Sequence, residues 1–239
     1  MNTSTSAAWI RAGLFALPLQ AVLVGYATLR PEPDQVTDPE AWARFVSSTS
    51  YLVQHVLGNV VGTVLAVFGT FALAAYLVVG RATRSALWGM TLAITAHILF
   101  TVPGMVSTFT TPAIGSAYLA GNRAAMTVEL SPVLMGVFGL ALLLALVGNL
   151  LLAFAVWRSG RLPRWPGLLW AAATLVFYLL GAALGLATTG ASLPTQPVGA
   201  ALMAIAGGAI ARSARRQHPS TQVWGTPLAP LPAGQGSPS

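Results

Sequence analysis

The residues of this chain best suited to chemistry are His55, Asn59, His97 and Glu129. His55 and Asn59 are four apart, so on a helix they share one face. An imidazole can accept or donate a proton near neutral pH, and a carboxylate beside it would couple the two protonation states. Asparagine adds a donor and an acceptor. A polar pocket built from these four, with Tyr118, Asn122 and Arg123 in the same loop as Glu129, is the expected ligand site. Each residue also has a structural use. A membrane histidine can donate to a backbone carbonyl of a neighbouring helix, and Asn59 or Asn149 can bridge two helices for about 1 kcal/mol. Glu129 can be a solvated loop acid.

Other chemistries lack their residues. With no cysteine there is no disulfide and no thiolate metal site. Protease, hydrolase and nucleotide motifs (H-E-x-x-H, G-x-S-x-G, a Walker sequence) do not occur. Neither a metal nor a cofactor is expected. A haem between His55 and His97 would need both at one depth, and counting along the chain offsets them. Ion pumping usually uses an acid within a span, and no apolar segment contains one.

The elements that must position these residues follow from composition. Apolar residues make up 55% of the 239, and charged residues only 7%. A soluble domain needs roughly a quarter of its residues charged, so this chain is expected to face lipid. Its net charge of +7 suggests nucleic acid at first sight. The basic residues sit in short clusters between apolar runs rather than on one stripe, which excludes that partner.

Six apolar segments, 10–29, 51–79, 86–109, 133–157, 167–187 and 193–211, each approach or exceed the roughly 20 residues a membrane-crossing helix needs. The expected fold is all-α, a polytopic membrane bundle of six helices. Residues 212–239 form a cytoplasmic tail, basic at first and then disordered, rich in Pro, Gly, Ser and Gln. The first segment read as a secretory signal would have only Arg11 as its basic region, with Pro18 interrupting the apolar run; it is counted as a span.

Arginine alone carries the orientation, because the chain has no lysine. Arg11, Arg81, Arg84, Arg158, Arg161, Arg164, Arg212, Arg215 and Arg216 fall on one side if the spans alternate. Arg30, Arg44, Arg123 and all five acids fall on the other. Positive charge marks the cytoplasmic side, so both ends are expected in the cytoplasm of a cell-membrane protein. The echo of Gly80-Arg81 with Trp88-Gly89 in Gly160-Arg161 with Trp165-Pro166-Gly167 reads as marking of that interface rather than as a repeat.

Two outer connections, 30–50 and 110–132, are long. In the first, Asp38-Pro39-Glu40 reads as a helix start, and the helix it opens would lay Trp42 and Phe45 on the outer interface. Within the spans, Gly58 and Gly62 form a small-residue stripe suited to close packing, and Gly181 and Gly185 form another. In span three His97, Thr101, Gly104 and Thr108 align, and Pro103 is expected to kink the helix. Span two runs inward and span three outward. His97 then lies about 16 Å below Thr108, and Asn59 about 12 Å below Tyr51, which would bring His97 and Asn59 to one level.

Three function classes fit these residues. The first is a non-enzymatic component that binds or helps to move a lipophilic or small neutral molecule, with a membrane partner protein as a further expected contact. The second is a structural or regulatory membrane subunit. The third is an intramembrane enzyme acting on a lipid or isoprenoid; the scarcity of acids within the spans disfavours it.

Overall fold

The computed structural model describes residues 3–127, 131–189 and 192–216. It is 84% helix, with no strand among the described residues, and six of its helices are long and apolar enough to cross a membrane. In chain order the elements are α1 (Thr5–Ala27), the short α2 (Pro39–Val46), α3 (Thr49–Leu77), α4 (Thr83–Leu119), α5 (Pro132–Arg158), α6 (Trp165–Thr188) and α7 (Thr195–Arg216). The expected tail beyond Arg216 lies outside the described residues. Arg212, Arg215 and Arg216, read from sequence as the basic start of that tail, are helical and continue the last turns of α7.

The six long helices form a ring. Each packs on its neighbour in sequence, and α7 closes the circle against α1. Small residues set a close crossing between α4 and α5. A Cβ added at Gly148 would lie 2.6 Å from the Ala93 nitrogen, and one at Gly89 would lie 2.9 Å from the Leu152 nitrogen. No side chain fits at either position. A polar pin joins α5 to α6, where the Trp170 indole N–H donates to Asn149 Oδ1 at 3.1 Å, both residues buried.

Charge separates by end. At one end Arg161 donates to the Tyr76 carbonyl at 2.6 Å and lies over its ring, and Arg215 lies over Phe15. The acids Glu32, Asp34, Asp38 and Glu40 are in the connection between α1 and α3, at the other end. The arginine-rich half of the ring is filled by a packed core that includes Leu14, Leu17, Leu73, Leu152 and Ile210, each at most 1% exposed. Large apolar side chains point outward along the helices instead, among them Phe68 and Phe71 on α3 and Leu140 and Leu143 on α5.

Prolines explain two of the irregular places. Pro18 cannot bond the Leu14 carbonyl and its ring crowds it, so α1 breaks into a turn at Leu14–Phe15 before resuming at Ala16. The third apolar helix does not end at residue 109 as the hydropathy suggested. It runs 37 residues to Leu119, about 55 Å at 1.5 Å per residue, so its last turns project past any 30 Å apolar layer. Pro112 has no N–H for the carbonyl four residues back, and a π-helical turn just ahead of it, Val106–Thr110, absorbs the mismatch.

The projecting end of α4 receives α2. As the sequence predicts, Asp38 caps that helix, accepting from the Ala41 N–H at 3.0 Å, with Pro39 at its start. Its apolar face packs on protein. Trp42, Ala43 and Val46 are buried, packed with Tyr51, Ile114 and Tyr118. A Cβ on Gly115 would lie 2.5 Å from Val46, which shows how close α2 and α4 come.

Candidate functional site

A cavity of about 410 Å³ lies inside the ring, and all six long helices contribute to its wall. Below Ala66, His97 and Met203 the ring closes on its packed core, so the cavity is a blind pocket rather than a pore. Its mouth lies toward the acidic end, beside Glu32, His55, Ser107 and Ser192.

The backbone is unusual around it. Three of the helices pass into π-helical turns here: Val56–Val61 on α3, Val106–Thr110 on α4 and Leu175–Leu184 on α6. These segments supply Gly58, Asn59, Ser107, Phe177, Tyr178 and Ala182 to the wall. A π turn re-aims side chains and loosens the carbonyl ladder, and such turns are frequent at functional sites. One loosened carbonyl, that of Gly181, accepts from the Leu193 N–H at 2.9 Å and so ties α6 to the start of α7.

The wall is mostly apolar, with Phe100 and Phe138 edge to face at 5.6 Å between α4 and α5. Among the polar side chains that interrupt it away from the mouth are Gln20, His97, Tyr178 and Gln196. None of the four side chains makes a hydrogen bond among the described residues, and none is sealed from the cavity. Buried polar groups are normally paired, so four uncommitted ones around one space are polar capacity available to a ligand or to water. All four can donate, and all are neutral in the form that costs least to bury.

Nearer the mouth the groups are partly committed. The His55 ring stacks on Tyr51 at 3.8 Å, and its Nδ1–H donates to the Tyr51 carbonyl at 3.0 Å. A carbonyl can only accept, so this bond fixes the tautomer and leaves Nε2 as an acceptor. Asn59 donates to Thr108 Oγ1 at 3.2 Å and to the Gly104 carbonyl at 3.4 Å, and its own Oδ1 has no donor among the described residues. Glu32 accepts from the Trp42 indole at 2.6 Å. The residue as a whole is exposed, but protein crowds its carboxyl. That desolvation raises its pKa above the ordinary carboxylate value, against the smaller lowering by the Trp42 bond. Asp34 shows the contrast in the same loop: the Thr37 and Val36 N–H groups bond its carboxylate and lower its pKa.

Of the four pocket residues read from sequence, His55, Asn59 and His97 line this one cavity. They are not at one level. Asn59 meets Gly104 and Thr108, which puts His97 at least seven residues, about 10 Å of helix, deeper on α4. Glu129 lies outside the described residues. Tyr118 packs under α2, with Arg123 over its ring at 5.7 Å, and neither lines the cavity. The sequence reading did not single out Glu32, Gln20 or Gln196. The two glutamines carry a signal it could have used, since each is an uncharged polar residue in an apolar helix.

The glycines read as packing positions have distinct neighbours. A Cβ on Gly58 would lie 2.5 Å from Ala27 and one on Gly62 3.3 Å from Val24, so α3 packs there on α1. A Cβ on Gly181 would lie 2.5 Å from Gln196, and Gly185 is buried.

Comparison of the chain with protein-family models, with curated proteins and with solved structures gave no match.

Proposed function

We propose that this chain is a multi-pass cell-membrane protein, both ends cytoplasmic, that binds a small lipophilic molecule in its central cavity. The ligand's buried part is neutral and carries hydrogen-bond acceptors, such as carbonyl or ether oxygens. The observation that carries this reading is the set of Gln20, His97, Tyr178 and Gln196, uncommitted donors around a mostly apolar space. Its volume is within the roughly 300–1,000 Å³ usual for small-molecule sites. The blind floor favours binding or delivery from one side over conduction. The apolar outward surface and the nine arginines at one end support the membrane placement and its direction.

Purifying the chain in lipid nanodiscs tests the reading. Solvent extraction followed by mass spectrometry is expected to yield a neutral lipophile near one per chain, and an electron-microscopy map is expected to show it within the ring. A water-filled cavity and no retained species would leave the structural-subunit reading in its place.

A further inference from the structure

A second concavity, of about 530 Å³, lies at the arginine-rich end, where the start of α1 meets the last turns of α7. Its lining is Ala8, Arg11, Ala12, Phe15 and Arg215. Ala8, Ala12 and Phe15 lie on neighbouring turns of α1 and make an apolar floor. Arg11 stands on the same stretch, and Arg215 reaches across from α7 with its guanidinium 5.6 Å from the Phe15 ring.

The charges here are uncompensated. Neither Arg11 nor Arg215 makes an ion pair or hydrogen bond among the described residues, where the single ion pair joins Arg44 to Glu40 at the other end. Arg11 is half-buried, and no protein anion pairs with it among the described residues. Arg161 is different, being committed to the Tyr76 carbonyl and ring. A groove with two unpaired guanidiniums above an apolar floor matches a ligand that is anionic at its head and apolar below it.

We infer that this groove binds the phosphate of an anionic phospholipid between Arg11 and Arg215, with an acyl chain along Ala12 and Phe15. Trp9, 72% exposed beside the groove, is the kind of residue that settles at headgroup level. The inference rests on the membrane placement proposed above and is independent of any ligand in the central cavity.

The test uses the full chain, delipidated in a neutral detergent, with thermal stability and native mass spectrometry read during titration. Phosphatidylglycerol is expected to bind and stabilise, and phosphatidylcholine is not. Arg11→Gln and Arg215→Gln are each expected to weaken phosphatidylglycerol binding about fivefold, the factor for one basic residue near an anionic surface. Arg84→Gln, at the same end but outside the groove, is expected to leave it unchanged. Arg11→Lys keeps the charge and is expected to retain most of the binding, so it carries the comparison if the glutamine variant fails to fold. Equal loss in Arg84→Gln would mean diffuse attraction and overturn the site. Stabilisation by inorganic phosphate alone would make it a free-anion site and overturn the lipid assignment. Equal binding of both lipids would remove the site while leaving the membrane placement standing.

Discussion

The indole nitrogen of Trp42 lies 2.6 Å from a carboxylate oxygen of Glu32, and that bond ties the connection after α1 to the helix packed on the end of α4. The same carboxylate stands at the cavity mouth. Its crowding has a consequence for pH. Burial raises the folded-state pKa of Glu32 above 4.5, so the folded chain holds this proton more tightly than the unfolded one. The stabilisation is complete below the ordinary value and is lost as pH rises through the raised one. Glu32→Gln keeps an acceptor for Trp42 but cannot ionise. Melting curves from about pH 4 to 7 are expected to show wild type losing stability relative to Glu32→Gln as pH rises. Parallel curves would show that the carboxyl is freely hydrated.

The Asn149–Trp170 bond offers a cleaner energetic test, because both partners are buried and the Asn149 amide also donates to the Ala145 carbonyl at 2.9 Å. Trp170→Phe removes the only donor to Asn149 Oδ1 among the described residues. The coupling between Trp170→Phe and Asn149→Ala in a double-mutant cycle is expected to be at least about 0.6 kcal/mol, the average for interhelical bonds in membranes, and to stay below their maximum of about 1.7 kcal/mol. Effects that simply add, within about 0.3–0.5 kcal/mol, would show that the bond contributes nothing.

Helix α5 carries its own packing control. A Cβ at Gly148 would lie 2.6 Å from the Ala93 backbone, whereas at Gly136 nothing lies within 4 Å. Gly148→Ala is expected to cost about 1–3 kcal/mol through overpacking. Gly136→Ala is expected to be neutral or to stabilise by up to about 1 kcal/mol, the helix-propensity gain. Thermal unfolding of the two variants in one detergent decides it, and equal melting temperatures would mean the α4–α5 crossing is looser than drawn.

Much of this architecture is legible in the residues, and the exceptions share a cause. Hydropathy locates the six helices because lipid-length apolar runs are hard to mistake, and Asp38-Pro39 announces α2 because capping is local chemistry. The depth of His97 is not legible. Counting downward from Thr108 assumes that α4 stops near residue 109, but α4 continues to Leu119 and meets α3 further along, so Asn59 pairs with Gly104 and Thr108 instead. Glu32 is hidden for a related reason. Between Pro31 and Pro33 it looks like a solvated loop acid, and only the docking of α2 on α4 folds its loop over the mouth. The π turns are equally invisible, since their residues Val56–Val61 and Leu175–Leu184 have ordinary helical composition.

The proposed membrane orientation rests on the charge segregation and is tested directly. Reporter fusions after Ser85 and after Gly160 are expected to be cytoplasmic, because they follow the short arginine-bearing hairpins. Fusions near Thr37 and Asn122 are expected to be external, and one after Arg216 cytoplasmic. An external signal after Arg216 would reverse the last span or remove it from the count.

The uncommitted polar groups of the cavity separate a binding role from a structural one. Tyr178 and Gln196 are each buried, and neither side chain has a hydrogen-bond partner among the described residues. A polar group held for stability would be paired, and its removal would then cost about 1–3 kcal/mol. Here Tyr178→Phe deletes only an unpaired hydroxyl, and Gln196→Leu replaces an unpaired amide with an apolar side chain of similar size. The ligand-free protein is therefore expected to melt at the wild-type temperature or above it in both variants. Retention of the lipophile, measured by extraction and mass spectrometry at equal protein loading, is expected to fall in the same two variants. His97→Leu, at the floor, is expected to behave alike. Loss of stability without loss of ligand would mean that these side chains are structural, through ordered water, and that the lipophile is held elsewhere.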